Sequence, residues 1–464
     1  MRTWLLIVLI TLAMGVQVGC TQLPKSNTTN QDNREYLIFS VQNMPLDKTR
    51  DAVIQLRDFY GPNDLKSKCL IGFSRMSIML FKQSIQEKRD IVNMVFDIAE
   101  EFDMPVYLHL DMLHNSPTSD KYEGPEKKFY DDPMMCEWVD FPKPGETHGP
   151  VPRFWNNWGA WFSTPAFPAF GSPKLQEYVR EQLQKGVLGP MMKRIEKLKV
   201  QNKEYLFAGI CIGWETAIYN LTPGDPFVIV DPEDPPVDMF TEPNIKMQRW
   251  EMAQPGYNSL YHLGYNQQRL EKEAKEKSMT PKALFIEICH KVGHDYTEML
   301  AKEVFNRGIS RQKIFSHTVA TNTVDNRPST SRPPVWTAVN PYCTPGFTMD
   351  NFGDAVYDLK KVKQQILKTD PTQNNLAVAE TYFRHGTTEK DYTKFFNEMF
   401  DNGATLIHIL AWHSGRENPD SPFHVPAVME GPNLSVTKWR DAGKRECLTA
   451  LALIKMYPVN EAVR

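Results

Sequence analysis

The feature that most constrains the fold is a regular alternation between short apolar runs and amphipathic segments. Eight runs are rich in β-branched and aromatic residues, and helical periodicity follows most of them. They cover residues 35–43, 69–80, 104–113, 205–213, 313–319, 345–354, 374–383 and 404–412. Repeated strand–helix units form a parallel sheet, and eight are enough to close a barrel. We therefore predict a single α/β domain, a (β/α)8 TIM barrel over residues 35–464, with long loops after strands three and four.

An open doubly wound sheet is the structural alternative. In its dinucleotide-binding form a G-x-G-x-x-G turn follows the first strand, and no such turn follows residues 35–43. The chain has no internal repeat, and after residue 35 it has no linker long enough to separate two domains. The barrel is therefore the preferred prediction.

The first twenty residues, MRTWLLIVLITLAMGVQVGC, have the pattern of an export signal. Arg2 supplies the positive start, and the apolar run after it is too short to span a bilayer as a helix. The ending at Cys20 resembles a bacterial lipoprotein signal, in which the cysteine becomes the lipidated first residue. Residues 21–34 are polar without periodicity, as in a flexible tether. We expect an exported protein, anchored by lipid at Cys20 to the bacterial outer membrane or facing the periplasm.

Charge and cysteine spacing exclude several functions. The formal net charge is −3, so there is no basic footprint for nucleic acid. The six cysteines after Cys20 contain no C-x-x-C pair, which argues against a zinc ribbon and against a redox motif. Cys69 and Cys211 lie within apolar runs and are predicted to be small core residues.

Two carboxylates stand where strands are predicted to end. Chemistry in a (β/α)8 barrel takes place at the C-terminal ends of the strands. Glu215 follows the fourth run and Glu380 ends the seventh, so the two acids are predicted to lie nearly opposite each other around the barrel mouth.

The strings that carry these acids resemble the clan A glycoside hydrolases, which are retaining glycosidases on (β/α)8 barrels. The resemblance lies in GICIGWE with Glu215, LAVAE with Glu380 and IHILAW with Trp412. It implies that Glu215 is the acid/base, Glu380 the nucleophile and Trp412 a platform beneath the sugar. It also implies a double-displacement mechanism that needs the two carboxyl groups about 5–5.5 Å apart. No cofactor and no metal are expected.

Other polar and aromatic residues near the predicted mouth are candidates for binding a carbohydrate. The segment 151–173 is dense in tryptophan and phenylalanine, and we interpret it as a wall of the cleft, although part of it must pack as core. The predicted substrate-binding residues are His109, Asp111, Trp155, Trp158, Trp214, His317, Arg384 and Trp412.

Two alternative functions remain open. Most clan members have Asn directly before the acid/base, where this chain has Trp214, which keeps open a non-catalytic glycan-binding lipoprotein on the same barrel. The second alternative is a metal-dependent barrel hydrolase that uses His109, Asp111 and His317, because imidazole and carboxylate suit zinc.

Overall fold

The computed structural model describes thirteen stretches of the chain. They are residues 34–41, 46–75, 78–81, 83–111, 132–138, 141, 152–157, 160–166, 168–218, 255–319, 333–349, 359–381 and 396–409. The chain divides into two units, Met1–Asp32 and Asn33–Arg464, and all of these stretches belong to the second. The predicted signal peptide, with Cys20, lies outside the described residues.

Eight parallel strands form the sheet in the described part of the chain. They are β1 (Glu35–Ser40), β2 (Cys69–Ser74), β3 (Val106–Asp111), β4 (Phe207–Cys211), β5 (segments Ile314–Phe315 and Thr318–Val319), β6 (Gly346–Thr348), β7 (Leu376–Thr381) and β8 (Ala404–Ile409). Each lies within one of the eight predicted runs, so the predicted strand order is confirmed. A further short strand, Ile78–Met79, pairs in parallel with the end of β3.

β5 brings the two ends of the sheet together. The remaining strands run in the order β4-β3-β2-β1-β8-β7-β6. The first segment of β5 pairs with β4 and its second segment pairs with β6. Between the segments, Ser316 N–H donates to the Thr344 carbonyl at 3.1 Å. The result is a nearly closed (β/α)8 TIM barrel, as predicted.

Helices separate the strands, and several begin with the caps that their sequences indicate. α2 has a capping box of Ser84 and Glu87, and Ser172 caps α3. The helices with described ends are α1 (Leu46–Tyr60), α2 (Ile85–Phe102), α3 (Pro173–Gln182), α4 (Gly189–Val200), α5 (Tyr257–His262), α6 (Gln267–Glu276), α7 (Pro281–Phe305) and α8 (Leu359–Thr369). Residues 396–401, before β8, are also helical. A π-helical turn, Leu183–Leu188, joins α3 to α4. Among the described helices, none is both long and apolar enough to cross a membrane.

The strands are rich in apolar residues and are buried along their length because both of their faces are covered. Every residue of β1, β2, β3, β4 and β7 is buried. Inside the ring, the Tyr107 side chain meets Phe315 and His408 edge-on, with ring centroids 5.9 and 5.2 Å apart. Cys69 and Cys211 are buried, as predicted for small core residues.

The aromatic segment is not wholly a loop. The structure shows an antiparallel hairpin of Pro152–Asn157 and Ala160–Ala166 where the sequence predicts irregular chain. Tryptophan, phenylalanine and threonine favour strands; tryptophan and phenylalanine occur in both segments, and the second also contains a threonine. The proline and glycine content of this region concealed that preference.

The insertions after β3 and β4 contact each other through one buried acid. The Glu137 carboxylate accepts hydrogen bonds from the N–H groups of Gly256 and Asn258, both at 3.0 Å. The Asn258 amide in turn donates to the Cys136 carbonyl at 2.7 Å. Burial nevertheless raises the pKa of Glu137 to about 7. The described ends of the two insertions are therefore fixed against each other above the barrel.

Closure between β5 and β6 predicts an asymmetry between two glycine substitutions. A Cβ at Gly346 would collide with the Ser316 carbonyl oxygen, whereas a Cβ at Gly293 in α7 would meet its nearest atoms at 3.9 Å. We expect Gly346→Ala to lower the free energy of unfolding by roughly 1–3 kcal/mol. Gly293→Ala, the control, should be neutral or stabilise by up to about 1 kcal/mol. Calorimetric Tm values measure both, and a Gly346→Ala protein as stable as wild type would contradict this closure.

Candidate functional site

Polar side chains gather where the strands end. His109 and Asp111 lie on β3, His317 lies between the two segments of β5, Thr348 ends β6 and Glu380 lies near the end of β7. All of these except Thr348 are at most 3% exposed. Because the strands are parallel, their C-terminal ends open on one side of the barrel. The C-terminal ends of four strands, β3, β5, β6 and β7, therefore carry these polar side chains on one side of the barrel.

Glu215 occupies an unusual backbone conformation just beyond β4. Its φ is 45°, in the left-handed region that residues other than glycine rarely adopt. The next residue fixes this turn, because Thr216 N–H donates to the His317 carbonyl at 3.0 Å. The chain that follows β4 is thus hydrogen-bonded to β5, and this bond fixes Glu215 at the C-terminal end of the barrel.

Glu380 is positioned by a β-bulge. Against β6, Phe347 pairs with Val378 but Thr348 pairs with Glu380, so β7 has one extra residue. The same irregularity occurs against β8, between Val378 and Thr381. A bulge changes the direction of the side chains that follow it. The bulge therefore determines where the Glu380 carboxylate points.

The two glutamates and His317 meet at short range. A carboxylate oxygen of Glu215, a carboxylate oxygen of Glu380 and a ring nitrogen of His317 all lie within 4.8 Å of one another. The limit applies to one oxygen of each acid, and it is compatible with carboxyl groups about 5–5.5 Å apart. Side chains from the fourth, fifth and seventh strands thus converge on one point.

Thr348 bridges two members of this cluster. Its hydroxyl donates to Glu215 Oε1 at 2.9 Å and lies 2.7 Å from His317 Nε2. Its backbone contacts the other acid, because Thr348 pairs with Glu380 in the sheet. Thr348 is therefore in direct contact with residues of all three strands that supply the cluster.

Below this cluster lies a layer of buried rings. His109 is edge-on to Trp214 at 5.4 Å and to His317 at 5.6 Å, and it lies 5.5 Å from His408. Burial lowers the pKa of His408 to about 4, so this imidazole is neutral at neutral pH. Its Nδ1 lies 2.9 Å from the Ala379 carbonyl, which places the proton of the neutral ring on Nδ1.

A second group of potential ligand atoms lies deeper. Ligand atoms of His109, Cys211 and His317 lie within 4.8 Å of one another. The Cys211 thiol donates to the Gly213 carbonyl at 2.8 Å. Burial raises the pKa of the Cys211 thiol to about 12. Cys211 is therefore a thiol in this environment.

The predicted site residues divide into three groups. His109, Trp214, Glu215, His317 and Glu380 are brought together. Asp111 is buried at the end of β3 but belongs to neither group of ligand atoms. Trp155 lies in a strand of the hairpin, and Trp158, Arg384 and Trp412 lie outside the described residues.

The sequence analysis missed Thr348, His408 and Tyr107. Thr348 lies on a strand of only three residues, which is too short for its residue pattern to show which side chains face the site. His408 stands inside the apolar string IHILAW. A histidine within a run predicted to be a buried strand is the signal that would have identified it.

Comparisons with known proteins find only distant structural likenesses. The sequence matches no family model and no curated protein. One similar structure is the catalytic domain of β-amylase from Paenibacillus polymyxa, with 7% identity, TM-score 0.46, and coverage of 82% of this chain and 93% of that one. Another is D-allulose 3-epimerase from Methylomonas sp., with 10% identity, TM-score 0.36, and coverage of 91% and 98%. At such low identities and TM-scores, the chemistry has to be argued from the residues themselves.

The buried His408 predicts a loss of stability in acid. Its pKa falls from the usual 6.5 to about 4 in the folded protein. Between these two pH values His408 is protonated in the unfolded chain but neutral in the folded protein. Stability should fall as the pH is lowered from about 6.5 to about 4, by roughly 3 kcal/mol in total. Calorimetry over this range measures the effect.

The control is His408→Gln, which is neutral throughout and should show a flatter dependence of Tm on pH over the same range. An NMR titration of His408 in the wild-type protein tests the same point without any substitution. A midpoint near 6.5 would contradict the burial argument.

Proposed function

We propose that the protein is a retaining glycoside hydrolase, with Glu380 as nucleophile and Glu215 as acid/base. The observation that carries the proposal is the approach of the two carboxylates to within 4.8 Å of each other. They come from strands four and seven, the strand positions that the resemblance to clan A glycoside hydrolases implies. The substrate would be an oligo- or polysaccharide.

Each half of the reaction uses both acids. A carboxylate oxygen of Glu380 attacks the anomeric carbon while Glu215 gives its proton to the departing oxygen, and the glycosidic bond breaks with its electron pair on that oxygen. Glu215, now ionised, takes a proton from water, and the oxygen of that water replaces Glu380 at the anomeric carbon. Both groups then regain their initial states.

The surroundings of the two acids support this division of roles. Glu380 is 3% exposed, and the raised pKa of Tyr107, which burial dominates, includes a contribution from the charge of Glu380. Tyr107 therefore stays protonated beside Glu380. Glu215 is only partly buried, and it follows Trp214, so it is open to the leaving group and to water.

Replacing each acid tests the proposal. We expect Glu380→Gln to lower kcat by at least about 10⁴-fold, because no covalent intermediate can form. Glu215→Gln should lower kcat/KM by about 10²–10⁴-fold on substrates with poor leaving groups. Hydrolysis of a panel of plant and algal oligosaccharides and aryl glycosides, with product stereochemistry followed by NMR, measures both.

The matched control is Glu398→Gln, which removes an exposed carboxylate from the segment before β8 and should leave the rate unchanged. A wild-type protein that binds glycans yet hydrolyses none of the panel would favour the non-catalytic glycan-binding alternative. Inversion at the anomeric carbon would contradict the retaining mechanism.

The metal-dependent alternative has one observation in its favour. Glu215, His317 and Glu380 together, like His109, Cys211 and His317, offer ligand atoms within 4.8 Å of one another. A tetrahedral zinc ion needs such atoms at roughly 3.3–3.6 Å from each other. The sequence-based ligand Asp111 belongs to neither group, so the alternative would need a ligand set different from the predicted one.

Metal removal separates the two chemistries. If the two-glutamate mechanism is correct, prolonged dialysis against a strong chelator should leave kcat unchanged, and elemental analysis should find only substoichiometric metal. Chelator-treated protein that loses activity and regains it with added zinc or manganese would overturn the two-glutamate mechanism. Glu398→Gln treated in the same way controls for damage by the chelator.

Export and lipidation at Cys20 are also part of the proposal, and they rest on the first twenty residues of the sequence alone. A lipid-anchored enzyme on the outer membrane would meet carbohydrate chains too large to be imported. This placement suits a cleft built for an oligo- or polysaccharide.

A further inference from the structure

We propose that Thr348 is a positioning residue, whose hydroxyl holds Glu215 by Oε1 and so directs the transferable proton of Glu215 to Oε2. The inference rests on the proposed function, which gives Glu215 its role as acid/base. It assigns a role to Thr348 and, through the hydrogen bond to Thr348, to His317.

The direction of the hydrogen bonds follows from counting protons. Thr348 Oγ1 lies 2.9 Å from Glu215 Oε1 and 2.7 Å from His317 Nε2. A hydroxyl carries one hydrogen, and an ionised carboxylate only accepts. The hydroxyl therefore donates to Glu215, and His317 Nε2 must donate to the hydroxyl. His317 consequently carries a proton on Nε2.

The same series of hydrogen bonds, from His317 through Thr348 to Glu215, determines which Glu215 oxygen is protonated. If the proton of the neutral acid sits on Oε2, Oε1 still accepts from Thr348 and no hydrogen bond changes. If the proton sits on Oε1, both hydrogen bonds must reverse and His317 must give up the hydrogen on Nε2. The first state requires no rearrangement, so the proton given to the leaving oxygen, and later taken from water, is carried on Oε2.

The backbone holds Thr348 firmly in this place. The bulge in β7 puts Thr348 opposite Glu380, and Met349 N–H donates to the Glu380 carbonyl at 2.8 Å. On the other side, the His317 side chain is 1% exposed, which restricts its ring. A threonine between two such neighbours can fix the Glu215 carboxyl at low entropic cost.

Two substitutions at position 348 test the role. Thr348→Val keeps the shape and removes the hydroxyl, and Thr348→Ser keeps the hydroxyl. We expect Thr348→Val to lower kcat/KM by about 10–100-fold for an alkyl glycoside of the sugar identified in the panel, because its leaving group needs a well-placed acid. For the dinitrophenyl glycoside of the same sugar, which departs without help, the loss should be under about 3-fold.

Thr348→Ser should behave like wild type on both substrates. Equal losses on the two substrates would indicate a merely structural role and overturn the proposal. So would a Thr348→Ser protein as impaired as Thr348→Val. A failure of Glu215→Gln to show the same dependence on the leaving group would instead count against the proposed function.

The hydrogen-bond direction is testable without any substrate. In wild-type protein labelled with ¹⁵N-histidine, the chemical shifts of the two ring nitrogens report which one carries the proton. We expect Nε2 of His317 to be protonated at neutral pH, with the resonance assigned by its loss in His317→Gln. An unprotonated Nε2 would overturn the proposed hydrogen bonds from His317 to Thr348 and from Thr348 to Glu215, even if the protein proves to be a glycosidase.

Discussion

Closure of the sheet by β5 is the constraint on which the rest of the structure depends. Its first segment pairs with β4 and its second with β6, while His317 occupies the gap between them. Because the strand is divided, the His317 carbonyl is available to Thr216 and its ring reaches Thr348. In a continuous fifth strand, the His317 carbonyl would instead be paired within the sheet. The same break that closes the ring therefore also organises its mouth.

The buried polar groups of the mouth are tolerated because they contact one another. Imidazole, hydroxyl and carboxylate groups in an apolar interior are costly unless hydrogen-bonded. Here Thr348 satisfies Glu215 and lies beside His317, and the Ala379 carbonyl holds His408. Burial keeps His408 neutral, which avoids placing a cation beneath the two acids. At this place the layer under the cluster therefore contains a polar but uncharged ring.

Much of this architecture could be predicted from the sequence because strand periodicity is a local property. The eight apolar runs, their order and the barrel follow from it, and the placement of Glu215 and Glu380 at strand ends follows from the barrel. The bulge at Glu380 and the role of Thr348 do not, because they depend on the register between strands far apart in sequence. The hairpin Pro152–Asn157 and Ala160–Ala166 was missed for a different reason, since glycine and proline outweighed its strand-forming residues.

Both proposed catalytic acids stand where regular backbone geometry fails. Glu215 has a left-handed φ of 45°, and Glu380 follows a bulge that is present against both neighbouring strands. Such irregularities cost free energy and persist where the surrounding structure imposes them. Here the surroundings do so through Thr216, bonded to β5, and through Met349, bonded to Glu380. A regular strand would alternate its side chains between the two faces of the sheet, whereas a turn and a bulge can aim two acids from distant strands at one point. The distortions are therefore better understood as the means by which the barrel brings the acids together than as accidents of its closure.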